Sequence, residues 1–227
     1  MTARKSYTPP LGTGSTRDYD RVIRLWTRET RWRSAMLAAV AARPDETIVD
    51  VGCGTGSFAL MLKLAEPRLT VIGIDPDAEA LEIARGKTRT TQADIEWRQG
   101  FAMDLQAGMA HAAVSSLVLH QMPVGEKAAT LRAMHRVLRP GGRLVIADYG
   151  RQRGVMRLLF RLTVQRLDGV SDTRPNADGV IPKLIAAAGF EDVAEPFMIS
   201  TITGAIQLFT ARRPISDIQR SVANDPD

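Results

Sequence analysis

The sequence predicts an α/β protein built on a mostly parallel sheet with helices packed on both faces. Three observations lead there. From residue 47 to residue 148, short β-rich apolar runs alternate with stretches of helical periodicity, the pattern of successive βαβ units. The first of those runs ends in "VDVGCGTGSF" (49–58), where glycines fill a strand-to-helix turn. The chain of 227 residues is 44% hydrophobic and 24% charged, enough to bury the core of one domain.

Each element has its own signal. Residues 1–17, rich in Pro, Gly, Thr and Arg, read as a mobile lead-in. Helical periodicity runs from Asp18 to about Ala42 and offers Val22, Leu25, Trp26, Met36, Leu37 and Val40 for burial, until Pro44 breaks it. "TIVDVG" is the first strand and "SFALMLKLAE" the helix after the glycines. "LTVIGID" is the second strand, and "DAEALEIARGK" starts just past Pro76 with acids in its first turn. "IEWRQG" and "HAAVSSLVL" are the third and fourth strands. "KAATLRAMHRVL" is a helix that "RPGG" stops before the fifth strand, "RLVIADYG". Residues 151–167 read as one Arg-rich amphipathic helix and "PKLIAAAGF" as another, ended by Gly189. "DVAEPFMIS" and "AIQLFTARR" close the fold as two β-rich runs before a polar tail.

The domain organisation follows. Residues 18–213 form one domain, with a cap helix at 18–43, a ligand-binding core at 44–148, a lid insertion at 149–180, and a last helix and strand pair at 181–213. Residues 214–227 are the tail.

Charge is placed unevenly. Residues 1–43 hold nine Lys/Arg against three Asp/Glu, and residues 149–175 hold six Arg against two Asp, in a chain whose formal net charge is +5. Any anion-facing surface therefore belongs to those two segments. A single cysteine makes no internal disulfide and fits a reducing cytosol. The basic, polar N-terminus lacks the apolar stretch of a secretory signal, and no apolar run reaches the roughly 20 residues of a membrane span. The expected location is cytoplasmic.

In a parallel sheet, ligands bind at the carboxyl ends of the strands, where the glycine loop lies. The loop fits neither phosphate motif: Ser57 stands where a dinucleotide fingerprint needs glycine, and the P-loop lysine is missing. The form D-x-G-x-G-x-G, led by Asp50, resembles motif I of the class I S-adenosylmethionine-dependent methyltransferases. "VIGIDPD" places Asp75 where an acid can accept from ribose hydroxyls. "VSSLVLHQMP" (114–123), "HRVLRPGGRLVIAD" (135–148) and the closing "AAAGF…FTARRP" are similar to later parts of the same family, so the resemblance spans roughly residues 18–213. It is nearest to the small-molecule branch that includes quinone and lipid methyltransferases.

The resemblance implies a Rossmann-like methyltransferase fold. Its sheet has seven strands and ends in an antiparallel pair, and its lid is made of the N-terminal helix and the helix after the fifth strand. It also implies cofactor contacts. Gly52, Cys53, Gly54 and Gly56 line the methionine half, and Asp50 holds the ammonium directly or through water. Asp75 with Pro76 meets the ribose, Phe101, Ala102 and Met103 border the adenine, and Ser115 or Ser116 lies behind the sulfonium. Phe101 stands where relatives often have an acid, and His111 where they often have an aspartate that supports structure. Cys53, without a partner His pattern or a second cysteine, reads as a small wall and not a nucleophile.

His120 follows the fourth strand at the rim where the methyl group points, and either touches substrate or acts as base; Asp148 and Tyr149 are similarly placed. Tyr19 and the arginines Arg153, Arg157 and Arg161 are the candidate acceptor contacts, suited to an anionic, partly apolar acceptor or to an anionic membrane surface. His135 reads as solvated. Three scattered histidines give no metal-ligand spacing.

The expected activity is methyl transfer from S-adenosylmethionine to a small organic or lipid-like acceptor by in-line displacement. Two alternatives bind the cofactor without net methyl transfer: an enzyme using the sulfonium for cyclisation or rearrangement, and a partner subunit. Nucleic acid is disfavoured as an acceptor, because "SSLVL" replaces the [ND]-P-P-[YF] motif after the fourth strand.

Overall fold

The computed structural model describes residues 28–215. Helix α1 (Glu29–Val40) precedes β1 (Thr47–Val51), α2 (Ser57–Ala65), β2 (Thr70–Asp75), α3 (Ala78–Thr91), β3 (Glu96–Gln99) and β4 (Ala110–Ser116). Then come α4 (Val124–Val137), β5 (Leu138–Tyr149), and three short helices, α5 (Gly154–Leu162), α6 (Val164–Asp168) and α7 (Val170–Ala177). Helix α8 (Ile181–Ala187) and strands β6 (Glu191–Thr201) and β7 (Gly204–Arg212) complete the domain.

The strands form one seven-stranded sheet in the order β3-β2-β1-β4-β5-β7-β6. Strands β1 to β5 pair in parallel, while β7 runs antiparallel to both β5 and β6. Strand β1 sits between β2 and β4, so chain direction across the sheet reverses beside it and opens a crevice at its carboxyl end. One apolar cluster covers each face. Trp32, Met36, Phe58 and Leu62 pack one side; Leu131, Met134, Ile185 and Phe209 pack the other. Of the residues expected to bury on the first helix, Met36 and Val40 do so and Leu37 is half-buried, whereas Val22, Leu25 and Trp26 lie outside the described residues, as does Tyr19.

Three local expectations are corrected. The "RPGG" stretch is not a turn between helix and strand. Leu138 already pairs with Ala110, Arg143 resumes the pairing at Ala112, and the residues between loop out against Arg213. The helix expected at 151–167 is broken at Thr163 (φ −113°, ψ −85°) into α5 and α6, and Gly169 (φ 84°) then starts α7. His135 is not solvated: it packs edge-on against Phe190, ring centroids 4.9 Å apart.

Candidate active site

The glycine loop leaves β1 and turns into α2. Gly54 has φ +52°, and a Cβ built there would meet nothing within 4 Å, so the backbone faces open space. Gly56 (φ +73°) faces inward instead, where a Cβ would overlap the Trp97 ring and lie 2.8 Å from Ala84. Lys87, on α3, donates to the hydroxyls of Thr55 (2.9 Å) and Ser57 (2.7 Å) and ties the loop to the next βαβ unit.

Asp75 ends β2 beside the loop. Its Oδ2 accepts from the Gly54 amide at 2.8 Å and its Oδ1 from the Asp77 amide at 2.9 Å. Each oxygen keeps one further lone pair for a ligand. Burial pushes the Asp75 carboxyl up to about 6, against those two amides, which favour the ion. Asp50, near the end of neighbouring β1, is 1% exposed and its Oδ1 has no partner among the described residues. Burial raises it to about 7; Arg33 opposes that rise and Asp75 adds to it.

Between the strand ends lies a cavity of about 540 Å³. Gly52, Gly54, Asp75, Pro76, Phe101, Ala102 and Met103, all singled out from the sequence, line it. Asp50, Cys53, Gly56, Ser115 and Ser116 do not. Ser115 donates to the Val51 carbonyl at 2.8 Å, and the Cys53 sulfur lies 3.0 Å from where a Gly73 Cβ would be. Burial and the Asp50 and Asp75 carboxylates hold the Cys53 thiol protonated, well above its usual range. The remaining wall includes Leu117, Val118, Gln121 and Met122, from the 114–123 stretch, with Glu126 and Asp172, which no motif marked. Helix α7 supplies Asp172, and its position depends on the lid breaks that periodicity did not reveal.

His120, Asp148 and Tyr149 do come together, in a buried cluster off the cavity wall. His120 Nδ1 lies 2.8 Å from Asp148 Oδ1 and its Nε2 lies 3.4 Å from Asp168 Oδ2, on α6. Asp148 Oδ2 accepts from the amides of Val118 (3.1 Å), Leu119 (2.7 Å) and His120 (3.3 Å), fixing the turn after β4. Burial works against charge on His120, but the two carboxylates outweigh it and lift the imidazole to about 9. At neutral pH this ring is an enclosed cation, a form in which it has no free nitrogen to take a proton. The Tyr149 and Thr203 hydroxyls share a hydrogen bond at 2.8 Å, and the Tyr149 ring meets His120 edge-on, centroids 5.0 Å apart. Lys127, fully buried, donates to the Met122 carbonyl and, at 2.7 Å, to that of Asp172, stitching α4 to the lid. Burial lowers this amine to about 8.

The substrate candidates fare differently. Arg153, Arg157 and Arg161 are exposed and off the cavity wall, and Arg157 pairs with Asp178 at 2.9 Å. His111 supports structure: its Nδ1 accepts from the Thr47 amide at 2.8 Å and its Nε2 lies 2.8 Å from Arg139. Asp104, three residues beyond Phe101, turns back to accept from the Phe101 amide at 2.8 Å.

Residues 48–142 match the family described as a methyltransferase domain. The demethylmenaquinone methyltransferase of Thermus thermophilus is 31% identical over 154 residues, covering 66% of this chain and 69% of that protein. The chain belongs to the class I S-adenosylmethionine-dependent methyltransferases. As such it is an enzyme, and S-adenosylmethionine is its cofactor. The demethylmenaquinone methyltransferase of Deinococcus radiodurans is 29% identical over 161 residues, 69% of this methyltransferase and 67% of that one. In fold, it resembles an O-methyltransferase family protein from Burkholderia thailandensis, with a TM-score of 0.71 over 87% of this chain and 59% of that one, at 17% identity.

Proposed function

We propose that this methyltransferase methylates an uncharged, hydroxylated, quinone-like ring by in-line displacement. The observation that carries the proposal is the wall of the cavity. Among its described lining residues are three carboxylates, Asp75, Glu126 and Asp172, with Met103, Leu117, Val118 and Met122 and no lysine or arginine. Such a wall favours a cation beside an apolar ring and disfavours an anion. The arginines that suggested an anionic acceptor turn elsewhere. The two demethylmenaquinone methyltransferases it resembles support a quinone-like acceptor.

The residues present fit the cofactor. Gly54 leaves open space where a side chain would stand, Asp75 retains acceptor capacity on both oxygens, and Asp50 keeps a buried oxygen unpartnered. When bound, the cofactor supplies an activated methyl on a sulfonium. The chain does the rest. Asp75 would accept from the ribose hydroxyls, Pro76, Phe101, Ala102 and Met103 would flank the adenine, and Asp50, with the loop of Gly52, Cys53, Gly54 and Gly56, would hold the ammonium end. Ser115 holds the end of β1 from behind, and Ser116 adjoins it. His120, Asp148 and Tyr149 act as positioning residues, because they fix the turn that places Val118 and Gln121 on the wall. Orientation of this kind is worth up to about 7–11 kcal/mol in well-aligned intramolecular reactions. A ring hydroxyl proton leaves to a carboxylate of the wall, Glu126 or Asp172.

Methyl transfer to a reduced quinone of short side chain, followed by mass spectrometry, tests this reading. Asp172→Asn and Glu126→Gln should lower kcat for the hydroxylated ring while leaving cofactor affinity within about twofold. Wild-type rates in both variants would remove the carboxylates from the reaction.

A further inference from the structure

We propose that the outward face of α5, α6 and α7 docks this enzyme on an anionic lipid bilayer. The proposal goes beyond the chemistry of the cavity and rests on the way α5 is turned. An amphipathic helix on a soluble domain ordinarily points its apolar stripe at the core. Helix α5 does the reverse. Phe160 is its one buried residue, whereas Val155 is 68% exposed, Leu158 55% and Leu162 53%. At 3.6 residues per turn those three share an arc of about 60°, and Phe160 lies opposite. The stripe continues along the chain in Leu167 (58% exposed) and Val170 (54%). It is flanked by Ile202 (57%), next to Thr203, whose carbonyl accepts from the Thr163 hydroxyl. So long an exposed apolar run marks a covered surface.

Charge identifies the cover. The acids of this segment turn inward: Asp168 lies against His120, and Asp172 lines the cavity. The arginines turn out. Arg153, Arg161 and Arg166 are exposed and have no carboxylate within ion-pair distance among the described residues; only Arg157 and Arg174 meet one, Asp178. Apolar side chains bordered by unpaired guanidinium groups complement acyl chains beneath anionic headgroups. A second copy of this chain would bring the same arginines against each other. The same segment closes the cavity through Ser171 and Asp172, so docking there brings the bilayer beside the acceptor site.

The test is co-sedimentation of the full chain with vesicles of phosphatidylcholine alone or mixed with phosphatidylglycerol, without cofactor or acceptor. Its failure therefore leaves the methyl-transfer reading standing. The wild type should sediment with the anionic vesicles and be released by salt. At about fivefold per basic residue, Arg153→Gln/Arg161→Gln/Arg166→Gln should weaken binding roughly 100-fold. Leu158→Gln/Leu162→Gln should weaken binding while preserving its salt dependence, and both variants should keep cofactor affinity. A wild type that stays in solution at low salt overturns the proposal, as does a triple arginine variant that sediments normally. Dimerisation lost in the leucine variant, without vesicle binding, would give the face to a second copy. Vesicle binding that emerges only when residues 1–27 are removed would give it to that segment.

Discussion

Replacing Asp50 by asparagine should stabilise the cofactor-free enzyme at alkaline pH while weakening its grip on the cofactor. The carboxyl is 1% exposed, one oxygen lacks a partner, and its folded-state value is about 7 against an ordinary 3.8. A carboxyl raised on folding binds its proton more tightly in the folded state, so ionisation costs stability. That cost begins near pH 4, grows until about pH 7 and is complete above it. At about 1.36 kcal/mol per pH unit the full shift is worth about 4 kcal/mol, of which about 2 kcal/mol accrues between pH 5.5 and pH 8. Asparagine carries no charge and escapes it, although it forgoes the attraction of Arg33. Urea denaturation of the ligand-free proteins at both pH values should show the variant gaining about 2 kcal/mol on the wild type as pH rises. For a domain of this size that is a relative shift in Tm of about 4–8 °C. Calorimetry should show weaker S-adenosylmethionine binding by the variant. A stability difference that does not change with pH would refute the buried ion, and unchanged affinity would remove Asp50 from the ammonium site.

Asp75→Ala should weaken cofactor binding by about 100-fold or more, because two charge-assisted hydrogen bonds of about 1.5–3 kcal/mol each are lost; calorimetry on the folded variant checks this. With Asp75 titrating near 6, wild-type affinity should hold at pH 7.5 and fall as pH drops through 6, when the acceptor takes up a proton. A flat affinity profile from pH 7.5 to 5 would contradict the ribose assignment. Gly56→Ala should unfold earlier by several degrees in a thermal melt, since the new methyl collides with Trp97 and Ala84 in a left-handed conformation. Cys53→Ala should retain most activity, and slow alkylation of the wild-type thiol in a labelling time course should accompany it.

The alternation of strand and helix was legible because each period is a local property of the chain, and the glycine loop because it needs particular residues. The path of residues 138–177 was not. "RPGG" has the chemistry of a helix stop, yet pairing of Leu138 with Ala110 makes it a loop within a strand pair, a fact decided by a partner 28 residues away. Periodicity marked residues 151–167 as amphipathic but is silent on whether the apolar face meets the core. Only Phe160, packed beneath Gly204, shows that the face looks outward. His120 was marked by its place after β4. Its second carboxylate partner, Asp168, comes from a helix whose start after Thr163 carries no sequence signal.

The most direct test is stoichiometry. The enzyme should be incubated with methyl-labelled S-adenosylmethionine and a reduced quinone of short side chain, and both products followed by mass spectrometry. The account predicts S-adenosylhomocysteine and labelled, methylated ring appearing in equal amounts, with Asp75→Ala suppressing both together. Consumption or rearrangement of the acceptor while S-adenosylmethionine stays intact would contradict it.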